Sequence, residues 1–195
     1  MKDSRVGSFG VVAFIFVTLL KWQLFTAIPV PEFIPIILLM MPLMSRYTLI
    51  LSIRSYPYAR KSGMGQAFAL YAPKYVITWS TISTFCMPIF ICLVLSLLYA
   101  VIWGITSLLS IPFIPFTIAI YGLAYALVGL IEINIFSMIM SYIINRILNH
   151  YIVKQLGGTT GDTYGFVVEL TEILLLLIYI ITLTFLSSVV KAPIL

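Results

Sequence analysis

The stretch Leu156–Glu172, LGGTTGDTYGFVVELTE, holds the residues best equipped for chemistry, and a long apolar run follows it. Gly157, Gly158 and Gly161 can let backbone N–H groups approach a ligand, because glycine tolerates positive φ and has no Cβ. Thr160 adds a hydroxyl and Asp162 a carboxylate. Asp162 is placed to N-cap a helix that begins near Thr163. If that helix continues unbroken, Asp162, Glu169 and Glu172 fall within an arc of about 80° on one face. A carboxylate stripe that descends into a membrane helix is costly unless it faces a cation, a partner or water. The same residues also suit a turn and a cap, with both glutamates paired to basic residues of neighbouring helices. Spacing alone does not separate the two readings.

Two further segments mix glycines with charge or hydroxyl: KDSRVGSFG at 2–10 and YPYARKSGMG at 56–65. Arg5 and Arg60 offer planar forks for phosphate oxygens, and Gly7, Gly63 and Gly65 offer backbone donors. Asp3 and Asp162 are hard oxygen ligands suited to Mg²⁺ held jointly with a diphosphate. Loop glycines beside charges also make ordinary turns, so phosphate chemistry is one of two readings here too. The sequence has no Walker loop, no Ser–His–Asp set and no nucleic-acid motif. His150 is the only histidine, which excludes zinc chemistry of the His-x-x-x-His kind. Cys86 and Cys92 lie about 240° apart around one helix, so they read as small buried hydrophobes and not as a bridge or metal site.

Composition says what must position these segments. The 195 residues are 62% hydrophobic and 9% charged, with a mean hydropathy of +1.15. That is an integral membrane protein. The apolar runs are too long for barrel strands and lack their alternation, so the fold class is all-α, a polytopic helical bundle. The chain is read as a single transmembrane domain over residues 1–195. Expected spans cover about 8–30, 33–53, 76–99, 122–147 and 165–187, about five in all, with Trp103–Tyr121 a Pro-broken interfacial segment. The first twenty residues superficially resemble a signal peptide, but Asp3 and the lack of a small-residue cleavage site predict a retained span.

The net charge is +5. Lys2, Arg5, Arg54, Arg60, Lys61, Lys74, Arg146 and Lys154 all fall on one side of the five-span arrangement. This predicts a multi-pass cell-membrane protein with the motif loops cytoplasmic. At 1.5 Å per residue, Arg46 lies about 12 Å deep, and Lys21 and Glu132 about 20 Å. Lys21 and Glu132 are therefore candidates to pair, and Arg46 matches the depth of Glu169 and Glu172. Gly122, Ala126 and Gly129 are expected to form a small-residue face for close helix contact.

The chain resembles the cobalamin synthase family, the adenosylcobinamide-GDP ribazoletransferases. MKDSRVGSFG is similar to that family's "(I)MKDSR-G--G", PYARKSGMGQAF to its "YAR--GLG--F", and LGGTTGDTYGFVVELTE to its "LGG-TGD-LGA--EL-E". Lys21 and Arg46 fall where the family carries a basic residue. The motifs occur together and in order, and the resemblance covers residues 1 to about 178. It implies a membrane-bound, Mg²⁺-dependent transferase that joins adenosylcobinamide-GDP to α-ribazole or its 5′-phosphate and releases GMP. Asp3 and Asp162 would then be the catalytic and metal-binding residues. Substrate would be bound by Arg5, Gly7, Arg46, Arg60, Gly63 and Gly65, together with Gly157, Gly158, Thr160, Gly161, Glu169 and Glu172.

In the resembling family an acidic motif of the form DG-AD--DG precedes the KDSR segment, and this sequence begins after it. The expectation is a fragment, a misplaced start or a split gene, with a separately encoded N-terminal half or a homo-oligomer as partner and little activity from these residues alone. The alternative from another class is a channel or transporter subunit, with Lys21, Arg46, Glu132, Glu169 and Glu172 lining a pathway. No inverted repeat is evident to support it. The expected partners are the two substrates and the lipid bilayer, with no nucleic acid.

Overall fold

A computed structural model describes residues 8–60, 64–108 and 116–191. Asp3, Arg5, Gly7 and Gly63 fall outside these residues. The described chain is helical: α1 (Ser8–Thr26), a 3₁₀ turn at Pro31–Phe33, α2 (Ile34–Ser55), α3 (Met64–Tyr71), α4 (Val76–Leu108), α5 (Phe116–Leu156) and α6 (Gly161–Lys191). Among the described residues, α2, α4, α5 and α6 include candidate spans, being long and apolar enough to cross a bilayer. A shorter apolar helix, Gly10–Thr26, accompanies them. The polytopic helical bundle expected from composition is therefore what forms.

Helix α2 is the axis of the bundle, packing on α6, α5 and α4, while α1 packs on α6. Its buried positions Ile37, Met40, Met41, Met44, Ser45, Thr48, Leu51 and Ser52 recur with the helical period and form one interior face. The apolar half of that face meets Leu175, Leu176 and Tyr179 of α6. Of its polar positions, Thr48 and Ser52 meet α5. There the Asn145 side-chain amide donates to the Thr48 carbonyl at 2.8 Å and to Ser52 Oγ at 2.7 Å, and Asn149 donates to Ser52 Oγ at 2.9 Å. Lipid tails are as apolar as leucine, so water exclusion does not hold such helices together. Packing and interhelical hydrogen bonds of this kind do.

Several expectations change. Helix α5 begins at Phe116, well before the expected 122, and α4 runs on to Leu108, so the segment expected at 103–121 is largely helix, apart from 109–115, which lie outside the described residues. Gly129 has no heavy atom within 4 Å of an added Cβ, so it is not a close-contact position. The side chains of Gly122 and Ala126 lie outside the described set. Cys86 is exposed and Cys92 half-buried, both free thiols, because α4 lies at the edge of the bundle and little of its span is covered.

Candidate functional site

Two of the three polar segments converge at one end of the bundle, and backbone hydrogen bonds join them. The Ala59 N–H donates to the Thr159 carbonyl at 2.8 Å, and the Thr159 N–H donates to the Pro57 carbonyl at 2.8 Å. These form a parallel bridge between Tyr58 and Thr159. Glycine is needed beside the bridge. A Cβ on Gly158 would stand 2.7 Å from the Pro57 carbonyl oxygen and 2.8 Å from the Ala59 nitrogen, closer than real Cβ contacts come. Gly157 ends α5 in the left-handed region at φ 73°, with its N–H on the Val153 carbonyl at 2.8 Å, the usual glycine helix stop. Gly65 lets Tyr58 and the Gly161 backbone close over α3, since a Cβ there would meet Tyr58 Cε2 at 2.8 Å and Gly161 N at 3.1 Å. Below the bridge, buried Thr159 donates to Tyr164 Oη at 3.1 Å, and the Tyr58 and Tyr164 rings lie 6.3 Å apart.

The cap of α6 corrects the expectation. Thr160, not Asp162, caps the helix: the Thr163 N–H donates to Thr160 Oγ1 at 3.3 Å, while Thr163 Oγ1 accepts from the Thr160 N–H at 2.8 Å. The helix starts at Gly161, so Asp162 sits inside the first turn. Its carboxylate thereby stays free to face outward, where Arg60 Nη2 donates to Oδ2 at 3.3 Å. The Thr160 hydroxyl is engaged in the cap and buried.

From there α6 continues without a break, so its three carboxylates share a face as the spacing required. Each meets a cation. Lys21 Nζ reaches Glu169 Oε2 at 2.6 Å and Glu172 Oε2 at 2.5 Å. The other Glu172 oxygen accepts from Ser45 Oγ at 2.7 Å and from Arg46 Nη1 at 3.3 Å. The expected pairing of Lys21 with Glu132 does not form. Lys21 instead sits level with Glu169 and Glu172, because α1 packs on α6, whereas α5 packs on α2, α4 and α6. Glu132 is exposed on α5 and makes no ion pair among the described residues. Arg46 does pair with Glu172. The network is graded, with Glu172 9% and Lys21 18% exposed at their side chains but Glu169 52% and Arg46 61%.

No group of three or more His, Cys, Asp or Glu side chains able to hold a metal occurs among the described residues. Glu169 and Glu172 are already bound to Lys21. Asp162 is different: its side chain is 76% exposed and meets Arg60 only at the long distance of 3.3 Å. One open carboxylate fits Mg²⁺, which commonly takes one or two carboxylates and completes its shell with substrate phosphates and water.

Sequence reasoning missed Ser45, Thr159, Tyr58 and Tyr164. Ser45 could have been noticed as a second polar residue beside Arg46 in an apolar run. Nothing in the sequence pointed to the bridge.

A family model described as Cobalamin-5-phosphate synthase matches residues 1–180. The chain belongs to this family. Relatives named adenosylcobinamide-GDP ribazoletransferase align along most of it. The Pseudomonas paraeruginosa protein is 32% identical over 172 residues, covering 88% of this chain and 54% of the relative. The Fusobacterium nucleatum protein is 29% identical over 187 residues, covering 95% and 61%. The Desulfitobacterium hafniense protein is 30% identical over 179 residues, covering 91% and 56%. The chain thus spans a little over half the length of these curated relatives. No solved structure matches it.

Proposed function

We propose that this chain carries the diphosphate-handling face of an adenosylcobinamide-GDP ribazoletransferase, an Mg²⁺-dependent transferase of the late cobalamin pathway. It would join adenosylcobinamide-GDP to α-ribazole or its 5′-phosphate and release GMP. The observation that carries the reading is the parallel bridge between the two motif segments, which sets Arg60 beside Asp162 at the exposed first turn of α6. Family membership and the relatives' names supply the reaction class.

In the proposed reaction, a ribose hydroxyl of the acceptor, present with or without the 5′-phosphate, attacks the phosphorus that bears the cobinamide and gives up its proton to solvent. The bond from that phosphorus to the bridging oxygen breaks, and GMP departs with the electron pair. Arg60 would grip phosphate oxygens through its planar fork, and the first-turn amides of α6 favour the same anion. Asp162, with Asp3, would hold Mg²⁺, whose role when bound is to neutralise charge on the departing GMP. The glycine-tight contacts at Gly65 and Gly158 would hold both loops in place before substrate arrives, so that catalysis is mainly positioning and charge stabilisation. Lys21, Glu169, Glu172 and Arg46 would fix α1, α2 and α6 beneath the site. Arg46 and Glu169 remain well exposed within their helices and require polar cover. That cover would be substrate, a separately encoded half or a second copy. The site is proposed to open to the cytoplasmic side of the cell membrane. No observation favours a channel, because four of the five charges that would line it pair with one another.

The test is GMP release from adenosylcobinamide-GDP and α-ribazole in membranes that produce this protein, with and without Mg²⁺, comparing wild type with Asp162→Asn. The variant keeps the shape and, because Thr160 makes the cap, the helix start. Loss of Mg²⁺-dependent turnover with intact folding supports the assignment. Turnover near wild type with unchanged Mg²⁺ dependence assigns Asp162 a structural role only.

A further inference from the structure

A second cationic feature lies on α5, away from the ion pairs of α6. Tyr142, Arg146 and His150 follow one another at single-turn spacing, and Lys154 continues the row. Arg146 donates from Nε to Tyr142 Oη at 3.1 Å and from Nη1 to Tyr56 Oη at 3.4 Å. Its guanidinium lies over both rings, 5.4 Å from the Tyr142 centroid and 5.9 Å from that of Tyr56. An exposed arginine ordinarily samples many rotamers. Here two aromatic faces and two hydroxyls hold it, and only part of its five-donor fork is used. With Tyr56, Ile147, His150 and Tyr151 it lines a cleft of about 560 Å³.

The surroundings indicate what the cleft takes. Ile139, Ile143 and Ile147 are all exposed and lie at successive turns, an apolar track that runs up the same side of α5 from the cleft. Tyr56 ends the apolar run of α2, so the guanidinium sits level with the end of a span. Tyrosines at that level and arginine with histidine just beyond it match the headgroup region of a bilayer. A soluble phosphate compound would use the cations but would have no use for the isoleucine track.

We propose that this cleft binds the phosphate headgroup of an anionic phospholipid. Arg146 meets the phosphodiester, His150 adds a donor beside it, and an acyl chain lies along Ile147, Ile143 and Ile139. Basic pockets between helices at the cytoplasmic interface are suited to such headgroups.

The experiment measures retention of phosphatidylglycerol against phosphatidylcholine by native mass spectrometry of the detergent-purified protein. Wild type is expected to retain phosphatidylglycerol in roughly fivefold preference, an effect of the size that one interfacial arginine supplies. The double variant Arg146→Gln, His150→Gln is expected to lose the preference while helix content stays unchanged, whereas Arg60→Gln keeps it. A preserved preference in a folded double variant overturns the proposal. So does displacement of the lipid by millimolar inorganic phosphate, which would make the cleft a site for free phosphate. Should the double variant lose helix content, Tyr142→Phe decides: it removes only one of the two hydroxyls that orient Arg146. A several-fold weaker preference supports the site, and an unchanged one refutes it.

Discussion

Replacing Gly158 by alanine tests whether the two motif segments form one unit. The new Cβ would lie 2.7 Å from the Pro57 carbonyl oxygen, 2.8 Å from the Ala59 nitrogen and 3.0 Å from the Ala59 Cα. All three are backbone atoms, so no side-chain rotation relieves the clash and residues 57–59 must move. Movement breaks the two 2.8 Å bridge hydrogen bonds. At about 1 kcal/mol net for each, the joined state loses about 2 kcal/mol. That corresponds to roughly a 30-fold rise in the open population. Amide hydrogen exchange in detergent micelles reads this directly: protection at Ala59 and Thr159 is expected to fall roughly 30-fold. Gly161→Ala is the control, because nothing lies within 4 Å of its added Cβ and its φ is not positive. Wild-type protection in Gly158→Ala, or equal losses in both variants, would refute the reasoning.

Two further outcomes follow from the charge network and the orientation. Glu172→Gln is expected to destabilise the protein by about 3 kcal/mol, since it leaves Lys21 and Arg46 without their most buried partner; half-exposed Glu169→Gln is expected to cost about 1 kcal/mol or less. Denaturant titration of both variants measures the ratio, and equal effects would contradict the graded burial. Single cysteines placed at Lys74 and Gln155, in a protein freed of Cys86 and Cys92, are expected to label from the cytoplasmic side alone, and opposite labelling would remove the shared site.

The spans were legible because membrane helices announce themselves in long apolar runs, and α2 and α6 begin and end within a few residues of expectation. The carboxylate face of α6 was legible for a related reason: a single unbroken helix turns spacing into geometry. Contacts between elements were not. The Tyr58–Thr159 bridge depends on how α2 and α6 bring their ends together, and a loop sequence carries no register for that. Lys21 found Glu169 and Glu172 instead of Glu132 because residue counting from assumed span ends fixes neither the level at which two helices meet nor which neighbour a face meets. The cap went to Thr160 because the run Thr160–Thr163 holds two good caps, and the reciprocal pair with Thr163 decides between them only in three dimensions. Cys86 proved exposed because hydrophobicity in a bilayer marks lipid-facing positions as readily as interior ones.

The most direct test is equilibrium binding of adenosylcobinamide-GDP, with Mg²⁺, to wild type and to Arg60→Gln. Binding does not require turnover, so it isolates the phosphate grip from the remainder of the reaction. Loss of a charge-assisted contact is expected to weaken binding by roughly tenfold or more, while Arg146→Gln binds as wild type does. Equal affinity of Arg60→Gln and wild type would contradict the claim that the joined loops form the diphosphate site.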